Sequence, residues 1–137
     1  MSCALELLAA ALGRADTYEA LIAVAGDDDA GDAAGPETVL GYVCFGATPM
    51  TATTYDVYWI VVDAAARGRG IGRALIDETE RQVAARGART IRIETSSLEG
   101  EGGAVRFYER AGYQRVGLIE GFYRPGDDLV TLAKRLA

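Results

Sequence analysis

Val57-Tyr58-Trp59-Ile60-Val61-Val62-Asp63 is an apolar, aromatic run, and four residues later the chain reads Arg67-Gly68-Arg69-Gly70-Ile71-Gly72-Arg73-Ala74-Leu75. A β-type segment thus ends in a glycine-rich turn that opens into a helix. Glycine is needed in such a turn because the backbone takes conformations closed to other residues and lets a ligand come close. Backbone N–H groups are left without intrahelical partners at the positive end of the helix, where they can hold phosphate. The competing reading is a helix-entry turn with spare glycines. Elimination narrows the phosphate ligand. A P-loop needs a lysine after its second glycine, and the chain's one lysine is Lys134. A dinucleotide fingerprint needs Gly-x-Gly-x-x-Gly/Ala; counting from Gly68 puts Arg73 in the last slot, and counting from Gly70 puts Leu75 there. What remains is Arg-x-x-Gly-x-Gly at Arg67, Gly70 and Gly72.

At 137 residues, half of them apolar, the chain suits one domain with a real core. Fourteen Lys+Arg against 20 Asp+Glu give a net charge of −6. A nucleic-acid binder needs a basic face to displace counterions, so that class is disfavoured. A negative field mildly favours a cationic substrate such as an amine. There is no histidine, which removes Ser-His-Asp and Cys-His nucleophile schemes and most zinc sites, and no metal is expected. Acid–base chemistry falls to carboxylates, tyrosines, cysteines or water. Cys3 and Cys44 form no Cys-x-x-Cys pair; a reducing cytoplasmic setting is expected, with Cys44 a small core residue. Met1 to Leu12 lacks a basic leader and reads as a short helix with Leu5, Leu8 and Leu12 on one stripe, not a signal peptide. No stretch approaches the roughly 20 apolar residues of a membrane span, so no membrane partner is expected.

Strands are expected at Tyr18 to Ala25, where the alanine content leaves a helix as the alternative, and at Val39 to Phe45, flanking the acidic, glycine-rich connector 26–37, which reads as a mobile, solvated loop without the spacing of a calcium site. Tyr55 to Val62 is a third strand. A helix over Arg73 to Arg86 buries Leu75, Ile76, Thr79 and Val83, with Gly87 as its C-cap. Thr90 to Thr95 alternates as a strand, Gly102 to Ala111 is a short helix closed by Gly112, and Tyr113 to Ile119 and Leu129 to Leu136 are strands around Arg124-Pro125-Gly126-Asp127. The order, led by a helix, is β-β-β-α-β-α-β-β. That is a single mixed α/β (α+β) sheet, mostly antiparallel, with one parallel pair around the central helix. No repeat or linker divides residues 1–137.

Four features over roughly residues 18 to 136 resemble the GNAT superfamily of N-acetyltransferases, in the manner of its small bacterial members. They are the strand running into Arg-x-x-Gly-x-Gly; the following strand ending in Glu94; the helix Ala104-Val105-Arg106-Phe107-Tyr108-Glu109-Arg110-Ala111-Gly112-Tyr113, similar to the superfamily's FYxxxGF signature; and the terminal hairpin Gly121-Phe122-Tyr123-Arg124-Pro125-Gly126-Asp127-Asp128. The front departs from the pattern, since only about 17 residues precede Tyr18. The resemblance therefore implies the acyl-CoA N-acyltransferase fold with a shortened N-terminus, and an acceptor pocket that is open or completed by a partner chain, as in a homodimer.

The resemblance also implies roles. Acetyl-CoA is the co-substrate. Backbone groups of Ile60, Val61 and Val62 pair with the pantetheine arm where two parallel strands splay apart. N–H groups of Arg67, Gly68, Arg69, Gly70, Ile71 and Gly72, with Arg73 following, hold the pyrophosphate. Ser97 or Glu99 sits where other members carry a cofactor-contacting asparagine. Acetyl transfer to a primary amine of a small molecule or peptide needs a neutral amine, although an alkylamine near pKa ~10 is mostly protonated at neutral pH. It also needs a polarised thioester carbonyl and a stabilised leaving thiolate. Tyr108 is the candidate acid, its alternative being a packing ring. Glu94 and Asp56 compete as the base; the alternatives are a surface carboxylate for Glu94, an arginine partner for Asp56, and a water relay. Tyr123 faces the acceptor or makes a dimer contact. A catalytically silent acyl-CoA-binding module and a protein binding another nucleotide are the readings from other classes.

Overall fold

The computed structural model describes residues 5–11, 18–25 and 38–136; the connector 26–37 lies outside the described residues. Its strands are β1 (Leu5–Ala11), β2 (Glu19–Ala25), β3 (Val39–Ala47), β4 (Thr54–Val62), β5 (Thr90–Ser96), β6 (Gln114–Arg124) and β7 (Asp127–Arg135); its α-helices are α1 (Ile71–Ala85) and α2 (Gly103–Arg110). The chain divides into two compact units, Met1–Gly46 with Tyr58–Gln82, and Ala47–Val57 with Val83–Ala137.

In the first unit the strand order is β1-β2-β3-β4. Within the segment Met1–Leu12 expected as a helix, the described residues Leu5–Ala11 are instead strand β1, antiparallel to β2 from Leu5↔Ala25 to Ala11↔Glu19. Leu5, Leu8 and Leu12 fit a helical stripe in the sequence, but a helix of about 12 residues is marginal without tertiary support. β2 supplies a ladder of backbone partners instead. Four strands, not three, therefore precede α1. Strand β3 is buried almost throughout, Leu40 to Phe45 except Tyr42, the pattern of a strand covered on both faces. The buried stripe of α1 is Ile71, Leu75, Ile76 and Thr79, spaced as helical geometry requires. The Thr79 hydroxyl, buried, donates to the Leu75 carbonyl at 2.8 Å, so no polar group is left unpaired there.

In the second unit the order is β4-β5-β7-β6. β4 and β5 pair in parallel from Thr54↔Thr90 to Val57↔Ile93, while β5 continues antiparallel to β7 as far as Ser96↔Leu129. Ile91, Ile93 and Thr95 are buried on β5, and Ile93 and Thr95 pair with the buried Leu132 and Val130 of β7. Val105 and Tyr108 of α2 and Tyr113 after it are also buried in this unit. Both helices end in a Schellman turn: Ala88 N–H donates to Val83 and Gly87 N–H to Ala84, Tyr113 N–H to Tyr108 and Gly112 N–H to Glu109. Gly87 (φ +94°) and Gly112 (φ +100°) take the left-handed conformation this cap demands. Among the described residues, the fold is the mixed, mostly antiparallel sheet that the sequence implies, with two of its three expected helices and with strand β1 in place of the first.

Candidate active site

The glycine loop lies wholly in the first unit. Asp63 N–H donates to the Leu40 carbonyl at 2.8 Å, and a single 3-10 turn, Ala64–Ala66, then carries the chain into Arg67. Gly68 and Gly70 take φ of +83° and +77°, and a Cβ built on either would meet nothing within 4 Å. Shape and open space both suit a phosphate-cradling loop. Helix α1 begins two residues earlier than the sequence suggests, at Ile71. Gly70 accepts the first helical bond, from Ala74 N–H at 3.0 Å, so the N–H groups of Ile71, Gly72 and Arg73 form the first turn, where no intrahelical acceptor exists. Arg67, Arg69 and Arg73 are exposed. Arg73 Nε lies 3.0 Å from Asp77 Oδ1 in an i,i+4 pair. Ile60, Val61 and Val62 close β4, with Val61 exposed.

The three candidate catalytic side chains lie in the second unit. Tyr108 is 6% exposed, its ring packed edge-on to Phe107 and Tyr113 at 5.2 and 5.9 Å. Burial, aided by the negative charge of Glu99, pushes its phenol pKa up to about 12, so the group stays protonated at neutral pH. Glu99 accepts from the Thr95 hydroxyl at 2.8 Å. Glu94 stands exposed on β5, opposite Thr131 of β7. Asp56 is buried and doubly bonded to Arg92, Nε to Oδ1 at 2.8 Å and Nη2 to Oδ2 at 3.1 Å.

A cleft of about 460 Å³ opens in this unit, lined by Ser96, Leu98, Glu99, Tyr123, Arg124 and Asp127. Tyr123 is half exposed; desolvation first, then the charges of Glu94, Asp127 and Glu99, raise its pKa. The wall is tied together. Buried Asp127 accepts from the Ser96 hydroxyl and sits 3.5 Å from Arg124 Nε. Ser97 exchanges bonds with Asp128, N–H to carbonyl and N–H to hydroxyl at 2.9 Å each, and Asp128 Oδ1 accepts from Gly121 N–H at 2.9 Å. Ser97 thus locks the loop to β7. Ser96 and Asp127 escape a reading from sequence, because a Ser-Ser pair and a Pro-Gly-Asp-Asp turn look like ordinary loop chemistry; only the β5–β7 register brings them together.

The acetyltransferase (GNAT) domain family matches residues 18–115. The chain belongs to the GNAT family. This GNAT chain is 36% identical over 101 residues to the N-alpha-acetyltransferase RimI of Mycobacterium tuberculosis, a match covering 71% of the chain and 60% of RimI. It is 37% identical over 99 residues to a mycothiol acetyltransferase of Gordonia bronchialis, covering 71% of the chain and 30% of that protein. It therefore spans less than two thirds of the length of these relatives. Among solved structures, a GNAT-family protein from Desulfovibrio desulfuricans superposes with a TM-score of 0.77 at 36% identity, over 88% of this chain and 70% of that one. An aminoglycoside 6'-N-acetyltransferase complexed with coenzyme A shares the fold, with a TM-score of 0.65 at 22% identity, over 87% of this chain and 73% of that one. Among the described residues, no helix is long and apolar enough to cross a membrane.

Proposed function

We propose that residues 1–137 act as one acetyl-CoA-dependent N-acetyltransferase domain, in the cytoplasm, transferring an acetyl group to a primary amine of a small molecule or peptide. The observation that carries the reading is the Arg67–Gly72 loop, with two glycines at positive φ feeding the open first turn of a helix. The relatives' names supply the two acceptor classes: RimI an N-alpha amine, the mycothiol enzyme a small molecule.

When bound, acetyl-CoA supplies an activated acyl carbon, so no residue of the protein has to act as a nucleophile. N–H groups from Arg67 to Arg73 hold the pyrophosphate, and backbone groups of Ile60, Val61 and Val62 align the pantetheine arm. Glu94, exposed and free of the bidentate clamp that holds Asp56, takes the proton of the incoming amine, directly or through water. Tyr108 keeps its proton at neutral pH and donates a hydrogen bond to the departing sulfur. Tyr123 and the acidic groups around it orient a cationic acceptor.

The test is turnover of acetyl-CoA against a panel of small amines and peptides, followed by thiol release, beside thermal shift with CoA, ATP and NAD. Stabilisation by CoA alone with amine-dependent thiol release is the expected result. Stabilisation without turnover on any amine would favour the silent acyl-CoA-binding module. Stabilisation by ATP or NAD instead would overturn the reading.

A further inference from the structure

We propose that Gly41, on β3, is a positioning residue for the pantetheine arm, acting through the Val61–Val62 peptide; this rests on the acyl-CoA reading above. A Cβ added at Gly41 would lie 2.5 Å from the Val61 carbonyl oxygen and 3.2 Å from the Val62 Cα. The Val61 carbonyl therefore occupies the space that any side chain at position 41 would take. Gly41 has no positive φ, so nothing in its own backbone conformation calls for glycine. The requirement comes from the neighbouring strand.

The consequence follows from peptide geometry. No peptide bond among the described residues is cis, and in a planar trans peptide the C=O and the next N–H point in opposite directions. A Val61 carbonyl aimed at Gly41 aims the Val62 N–H away from β3. Two further features of β3 hold that orientation. The β2–β3 register shifts between Ala23 and Val24, which pair with Gly41 and Val39, so Leu40 is the extra residue of a bulge. The Leu40 carbonyl then accepts from Asp63 N–H at 2.8 Å, fixing the end of β4 immediately after the peptide in question. The bulge, the missing side chain and the Leu40–Asp63 bond together present the Val62 N–H as a donor for an amide carbonyl of the pantetheine arm.

Two ligands separate this role from general support of the fold: CoA, and adenosine 3',5'-bisphosphate, which carries the nucleotide but no pantetheine. Gly41→Ala should raise the Kd for CoA about tenfold or more and leave that for the bisphosphate within about twofold. The acetyl-CoA KM should rise while kcat at saturation stays nearly constant. Val43→Ala, at another buried β3 position, serves as the control for lost packing and should change neither Kd by more than about twofold. If Gly41→Ala weakens both ligands alike, or neither, the positioning role is wrong. Should that variant not fold, amide NMR of the unaltered protein decides: the Val62 N–H should shift downfield with CoA and not with the bisphosphate, and an unmoved Val62 resonance overturns the proposal. If the unaltered protein binds neither ligand, the acyl-CoA reading falls first and this one with it.

Discussion

Asp56 and Arg92 stand opposite each other in the parallel β4–β5 register and are joined by two hydrogen bonds, at 2.8 and 3.1 Å. Both carboxylate oxygens are engaged, and the carboxylate is buried while the arginine is 43% exposed. A fork-to-fork pair of this kind adds geometric specificity to charge-assisted bonds. Asp56→Asn should lower unfolding stability by about 1–2 kcal/mol, in the range of a lost charge-assisted bond moderated by the exposed arginine. The acidic limb of its kcat/KM profile should stay in place. Urea denaturation and a pH series on one preparation test both halves.

Glu94 is the carboxylate left available on β5. A general base works only when deprotonated, so the kcat/KM profile should have an acidic limb. Glu94→Gln should flatten that acidic limb and lower the plateau by about 10²-fold or more, the usual scale of a lost general base. If the limb survives in Glu94→Gln and disappears in Asp56→Asn, the roles are reversed. Two intact limbs would point to water alone.

Gly70 sits at φ +77° with nothing near its missing Cβ. Alanine there meets no clash, but its left-handed conformation costs about 1–2 kcal/mol. The backbone should relax toward negative φ and swing the Ile71 N–H off the phosphate. Gly70→Ala is therefore expected to raise the acetyl-CoA Kd about tenfold by titration calorimetry, with only a small fall in Tm. A folded variant with unchanged affinity would remove the loop from the site.

Most of the site-bearing elements were legible because their signals are local. Leu75, Ile76, Thr79 and Val83 recur at helical spacing, Gly87 and Gly112 stand where caps require positive φ, and Pro125-Gly126 marks the tight turn between β6 and β7. The Arg67–Gly72 loop was readable for the same reason. Leu5–Ala11 was misread because its conformation is decided by pairing with β2, a non-local term that overrides weak helical periodicity. The Asp56–Arg92 pair, 36 residues apart in sequence, and the Ser96–Asp127 contact depend on strand register, which no local motif announces. The constraint on Gly41 comes from the Val61 carbonyl on another strand, which the local sequence around Gly41 does not reveal.

Tyr108 gives two linked expectations. Its folded pKa is raised from 10 to about 12 by burial, then by Glu99. The folded state therefore holds this proton more tightly than the unfolded chain. The stabilisation is fully present below about pH 10 and is lost as pH rises through about 12, amounting to roughly 2–3 kcal/mol for a shift of that size. Tyr108→Phe should remove this component, so the stability difference between the two proteins should change over that window and be flat below it. In turnover, a phenol near pKa 12 is a poor match for complete transfer to a thiolate of pKa near ~8.5. In the proposed mechanism its contribution is a hydrogen bond to the departing sulfur. Tyr108→Phe should then lower kcat about ten- to a hundredfold with little change in CoA affinity, and the loss should shrink with an acyl donor whose thiol is more acidic. Full kcat in Tyr108→Phe on an accepted amine would make Tyr108 a packing residue and assign departure of the thiolate to solvent.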